Sequence, residues 1–219
     1  MAELDGPRWG PASKATPTQL VVLCHGVGAD GHDLIDLAPT WGHALPDALF
    51  VSVDAPFPHD SGFGRQWWSV ADRTPAVMEA GVRQAAGFLD AFIDAELARL
   101  GLPADAYALM GFSQGAMTVL FTGLRRATAP RAILAFSGAL IAPDSLAGEL
   151  ANHAPVLLVH GEADDVVPAQ RSRDAETALR AAGVPVEADY VPRLGHGIDA
   201  TGLAMGALAL QKGFADTGA

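Results

Sequence analysis

Ser113 stands between Gly111-Phe112 and Gln114-Gly115, directly after the apolar run Tyr107-Ala108-Leu109-Met110 and directly before a helix-forming run from Ala116 to Arg126. This succession forces the chain from strand to helix within a few residues. A turn that sharp strains the backbone at the serine and lifts its hydroxyl above the sheet edge. The flanking glycines leave room where side chains would strike the adjoining strand and helix. A serine hydroxyl becomes a useful nucleophile only when it is exposed, aligned and next to a base. Taken alone the pattern is weak, because a chain of this length and glycine content would contain it by chance with a probability on the order of 0.1. The plain alternative is a glycine-rich helix start carrying an ordinary serine cap. The strand before, the helix after and the partners downstream favour the nucleophile.

The rest of the chain repeats the same alternation. Gln19–Cys24 is an unbroken apolar strand, of the kind buried on both faces of a mostly parallel sheet. Further strands are expected over Leu49–Val53, Tyr107–Met110, Ala132–Phe136, Val156–His160 and Val186–Val191. Helices are expected over about Asp33–His43, Pro75–Leu100, Gln114–Ala127, Ala169–Ala182 and Ile198–Phe214. The longest spaces Val82, Ala86, Leu89, Phe92 and Ile93 along one stripe, and Gly101 then Pro103 stop it. Residues 1–17 read as an irregular or short-strand lead-in, and residues 54–74 as a long irregular loop. Together these predict one α/β domain over residues 1–219, with a mostly parallel central sheet and helices on both faces.

Composition removes several classes of function. Half the residues are hydrophobic and 18% are charged, so the chain is globular rather than disordered. A formal net charge of -11 argues against a nucleic-acid partner, which needs basic patches, and against tight docking on anionic lipid. The single cysteine, Cys24, can form no internal disulfide, and inside a buried strand its thiol is a poor nucleophile. No apolar run is long enough for a membrane span, and the opening residues carry no apolar signal core, so no stable membrane insertion and a cytoplasmic location are expected.

A nucleophilic serine needs a base, and position selects among seven histidines. His196, between Gly195 and Gly197, follows the last strand and precedes the last helix, with small neighbours that free its ring. His160 and His25 end strands before a glycine and suit a packed supporting role. The base in turn needs a carboxylate to fix its tautomer. The loop His160-Gly161-Glu162-Ala163-Asp164-Asp165-Val166-Val167-Pro168 holds three acids. It fixes the loop better than the residue: Asp164 is favoured, with Asp165 turned outward or capping the next helix. An oxyanion needs two donors. One is the Gln114 backbone N–H. The other is expected at Val27, in the loop His25-Gly26-Val27-Gly28-Ala29-Asp30-Gly31. That loop also fits a dinucleotide-binding pattern, but no further phosphate-binding residues follow it.

These four segments, in this order over about residues 19–214, resemble the phospholipase/carboxylesterase family of α/β-hydrolases, which includes bacterial carboxylesterases and acyl-protein thioesterases. The resemblance implies an α/β-hydrolase fold with Ser113 as nucleophile, Asp164 as acid, His196 as base, and Val27 and Gln114 as backbone oxyanion donors. It implies cleavage of carboxylic or thio-esters, small-molecule or lipid, without a cofactor or metal. Many members dimerise, so a homodimer is an expected assembly. Gly64-Arg65-Gln66-Trp67-Trp68 looks more loosely like the family's loop beside the acyl pocket. Trp67, Trp68 and Leu194 are accordingly expected to contact substrate, the alternative being that the tryptophans only pin the loop. The competing functions are an acyl-protein thioesterase or lysophospholipase, and a non-catalytic ligand-binding α/β-hydrolase.

Overall fold

The computed structural model describes residues 4–215, so the first three residues of the expected lead-in and the last four residues of the chain lie outside it. The lead-in supplies β1 (Arg8–Trp9), and β2 (Gln19–Cys24) is the apolar run. The single helix expected over Asp33–His43 is instead two short ones, α1 (His32–Ile35) and α2 (Ala38–Gly42). Pro39 accounts for the break, since it has no N–H to bond back to Ile35 and fits the first turn of a new helix. β3 (Ala48–Val53) follows. Inside the irregular stretch, β4 (Phe57–Pro58) and β5 (Arg65–Gln66) make a small antiparallel hairpin. α3 (Pro75–Leu100) ends at Gly101, which adopts φ 66°, while Leu102 N–H donates to the Leu97 carbonyl and closes a left-handed cap.

The second half alternates regularly: β6 (Tyr107–Phe112), α4 (Gln114–Arg125), β7 (Ile133–Phe136), α5 (Pro143–Glu149), β8 (Val156–Gly161), α6 (Gln170–Ala181), β9 (Val186–Val191) and α7 (Ala200–Ala215). Sequence periodicity gave no sign of α5. It spans seven residues and buries only Leu146, too little for a visible apolar stripe.

The seven-stranded sheet runs β1-β3-β2-β6-β7-β8-β9, parallel throughout except for β1, which lies antiparallel on β3 and covers that edge. Alternate residues of each strand face opposite sides. Leu20, Val22, Leu109 and Leu158 pack with α3, α4, α5 and α6, whereas Val21, Leu23, Met110 and Leu157 pack with α1, α2 and α7. A sheet covered on both sides needs apolar residues at every position, which is why its strands read as unbroken runs. From β2 the chain first builds outward to β3, then returns to build β6 through β9 on the other side. The β2–β6 junction is therefore a topological switch point, where the loops leaving two adjacent strands diverge and open a crevice.

Candidate active site

Ser113 sits at that junction, between β6 and α4, with φ 54° and ψ −116°. A non-glycine residue in this region is strained and needs its surroundings to hold it. Its N–H donates to the Phe136 carbonyl at 2.9 Å and its own carbonyl accepts from Met117 N–H at 3.1 Å. The two flanking glycines are required by close approach. A Cβ on Gly111 would strike the Gly115 carbonyl, and one on Gly115 would strike the Cys24 carbonyl of β2. Cys24 itself is fully buried, and burial pushes its thiol far above the usual range, so it stays protonated and inert.

Cys24 is in register with Gly111, so the loop after β2 leaves the sheet beside the serine. A Cβ on Gly26 would lie 3.2 Å from Ser113 Cβ, which brings the residue before Val27 close to Ser113. Among the described residues neither the Val27 N–H nor the Gln114 N–H has a hydrogen-bond partner. Two things brace this loop. Gly28 N–H donates to the Arg65 carbonyl at 2.7 Å and Arg65 N–H donates to the Ala29 carbonyl at 2.8 Å, which docks the β4–β5 hairpin on it. Below it, His25 donates from Nδ1 to the Gly26 carbonyl at 2.7 Å, and its Nε2 accepts from Ala55 N–H at 3.0 Å. These partners fix the neutral tautomer. Burial lowers the His25 pKa below the ordinary histidine value, against the Gly26 bond and nearby aspartates that raise it.

Asp164 and His196 come from the loops after β8 and β9. Ala163 N–H donates to the Leu194 carbonyl at 2.9 Å, which folds the β9–α7 loop back over the end of β8. His196 Nδ1 then meets Asp164 Oδ2 at 2.7 Å, and its ring lies 4.7 Å, centroid to centroid, from that of Phe112, the residue before Ser113. Asp164 Oδ1 accepts from Val166 and Val167 N–H, each at 2.9 Å. Burial alone would raise the Asp164 pKa, but the bonds from His196, Val167 and Val166 outweigh it and hold the carboxyl below its usual range. Asp165 and Glu162 are exposed, and Glu162 pairs with Arg173. With Asp164 bound at Nδ1, His196 has Nε2 left over. Among the described residues no direct hydrogen bond joins it to Ser113 Oγ, and Ser113 is 5% exposed.

Trp67 and Trp68 pack inside the protein. Trp67 is 0% exposed and Trp68 is 4% exposed, and both belong to the main core cluster rather than to an open groove. Trp67 Nε1 donates to the His25 carbonyl at 3.0 Å, and Trp68 Nε1 points at Met78 Sδ at 3.4 Å. Their position is set by a residue whose side chain the sequence left unassigned. Gln114 Oε1 accepts from Trp67 N–H at 2.9 Å, and Gln114 Nε2 donates to the Trp68 carbonyl at 2.8 Å. Phe63, at the hairpin tip, is 83% exposed, and Leu194 is half-buried in the His196 loop. Among the described residues no three His, Cys, Asp or Glu side chains converge as a metal site.

A sequence model of the phospholipase/carboxylesterase family matches residues 11–211. Over 184 residues the chain is 34% identical to esterase YpfH of Escherichia coli, spanning 83% of this chain and 77% of that protein. It is 32% identical over 164 residues to acyl-protein thioesterase 1 of Schizosaccharomyces pombe, spanning 69% of this chain and 70% of that one. The crystal structure of esterase PE8 superimposes with a TM-score of 0.91 at 39% identity, covering 96% of this chain and 99% of that one. The strand order, the strained serine at the switch point and these likenesses agree: the chain has the α/β-hydrolase fold and belongs to the phospholipase/carboxylesterase family.

Proposed function

We propose that the chain cleaves carboxylic esters by a two-step acyl transfer, with Ser113 as nucleophile, His196 as base and Asp164 as its orienting acid. The observation that carries this reading is the His196–Asp164 bond of 2.7 Å, next to a serine held at φ 54° and flanked by two unpaired backbone amides. In the first step Ser113 Oγ bonds to the ester carbonyl carbon while His196 Nε2 takes the hydroxyl proton. The carbonyl oxygen becomes an oxyanion cradled by the Val27 and Gln114 N–H groups. The bond to the leaving alkoxide breaks, and His196 returns the proton to it. Water then attacks the acyl-serine by the same route, which releases the acid and restores the hydroxyl. The Asp164 carboxylate keeps the Nδ1–H tautomer and supports the imidazolium that forms midway.

Substrates are small-molecule esters. Leu194, beside His196, is the apolar contact proposed for the acyl part. The resemblance to a thioesterase over 69% of the chain supports thioesters as a second substrate class, since the same attack expels a thiolate. Ser113→Ala is expected to lower hydrolysis by a factor of about 10⁴ or more while leaving the fold intact. Normal ester turnover by that variant, or a fluorophosphonate that fails to label Ser113 in the wild type, would refute the scheme.

A further inference from the structure

His160, the histidine of β8, is 0% exposed, and the reaction above does not use it. Its Nε2 lies 2.8 Å from the Val167 carbonyl oxygen and 3.2 Å from Asp164 Oδ2. Both are acceptors, so Nε2 must carry a hydrogen. On the other side of the ring, Nδ1 meets Ser172 Oγ of α6 at 2.6 Å, and Ser172 Oγ lies 3.2 Å from the Gly138 carbonyl oxygen beyond β7. With Nε2 protonated, Nδ1 accepts the single Ser172 hydroxyl hydrogen, so one buried ring ties α6 to the loop that carries Asp164. Val167 is held from both ends: its N–H donates to Asp164 Oδ1 and its carbonyl accepts from His160.

We infer that His160 is a positioning residue for the hydrolytic reaction, presenting a permanent N–H edge to Asp164 Oδ2 and Val167 that keeps the carboxylate aligned with His196. The inference rests on the assignment of Asp164 and His196 to the reaction. Asp164 Oδ2 then lies within 3.2 Å of a ring nitrogen of each histidine, while Oδ1 is taken by two backbone amides. A carboxylate surrounded in this way cannot rotate without losing a partner. The aligned bond of His160 goes to Val167, and the Asp164 contact adds a positive edge that draws off part of the carboxylate charge. Removing that edge leaves more negative charge facing His196, which favours its protonated form. Among the described residues the titratable groups in contact here are Asp164 and the two histidines. The neighbouring Glu162 and Asp165 face solvent, Phe112 supplies an apolar ring, and Ser172 does not titrate.

The test compares His160→Met, which deletes the donor, with His160→Gln, which can present an N–H near the same point. The Met variant is expected to lose about tenfold or more in kcat with KM within about twofold, and its acid limb in kcat/KM should move to higher pH. Gln should restore most of both. Ser172→Ala breaks the far side of the ring and should lower stability without moving the acid limb. A folded Met variant with an unchanged acid limb and unchanged kcat would overturn the inference, as would failure of Gln to improve on Met. Nitrogen-15 NMR of the wild type supplies a reading that needs no variant: His160 Nε2 must be protonated at neutral pH, and finding it bare ends the proposal. The same spectra follow His196 without turnover, so a Ser113→Ala variant that still hydrolyses esters would sink the reaction scheme while leaving the His160–Asp164 coupling separately readable.

Discussion

Gln114, whose backbone N–H is the proposed oxyanion donor, uses its side chain to fasten the loop that carries Trp67 and Trp68. Replacing it with alanine keeps the amide in place and strands a buried N–H and a buried carbonyl. An unpaired buried group costs about 1–3 kcal/mol, so with two stranded Gln114→Ala should lose about 2–6 kcal/mol in urea denaturation. A loss below about 1 kcal/mol would mean that the loop is held by the tryptophan rings alone. The sharp turn at Ser113 was legible from sequence because its requirements are local: a strand, two glycines and a helix are all consecutive. The second task of Gln114 was not legible. Its partners lie 47 and 46 residues away, and nothing in the spacing of the chain brings them to it.

The helices differ in how much of their packing the sequence exposes. α3 buries Val82, Ala86, Leu89, Phe92 and Ile93 as its stripe predicts, and adds Glu96, which takes two hydrogen bonds from Arg99 and two from Arg8 of β1. α7 instead turns glycines toward the sheet. Gly202, Gly206 and Gly213 are buried along with Leu210 and Phe214. Trp41 of α2 fills the space so left and donates from Nε1 to the Leu203 carbonyl at 2.9 Å. A Cβ on Gly206 would stand 2.8 Å from Trp41 Cζ2. Gly206→Val should therefore overpack this contact at a cost of about 1–3 kcal/mol, with a shift in tryptophan fluorescence as the indole moves. An unchanged melting temperature would show that α7 can slide to make room. The two-residue strands β4 and β5 and the seven-residue α5 escaped notice because they carry too few residues to display a period.

Across the whole molecule, ionisation ties stability to pH in two stages. His25 is held neutral by burial and takes a proton less readily folded than unfolded. The stability it contributes is complete above the unfolded value of about 6.5 and is lost as pH falls below it. Asp164 and Glu96 carry depressed pKa values in the fold, and Glu149, beside Arg83 and Arg125, is lowered to about 2. Their contribution is present above about 4 and disappears as pH falls through the folded values. Urea midpoints should be flat from pH 7 to about 9, decline below about 6.5, and fall again below about 4. His25→Gln, which can still accept from Ala55 N–H, should flatten the first decline. A first decline of the same size in that variant would assign it to other groups. Sequence alone determined the succession of strands and helices, the elbow at Ser113 and the two loops that carry Asp164 and His196, because each depends on residues adjacent in the chain. Only the tertiary structure decided that Asp164 rather than Asp165 meets His196, that the tryptophans enter the core, and that His160 touches Asp164. Each of those outcomes depends on which side chains the sheet order and loop closures bring within a few ångströms, and the chain does not carry that distance as a local pattern.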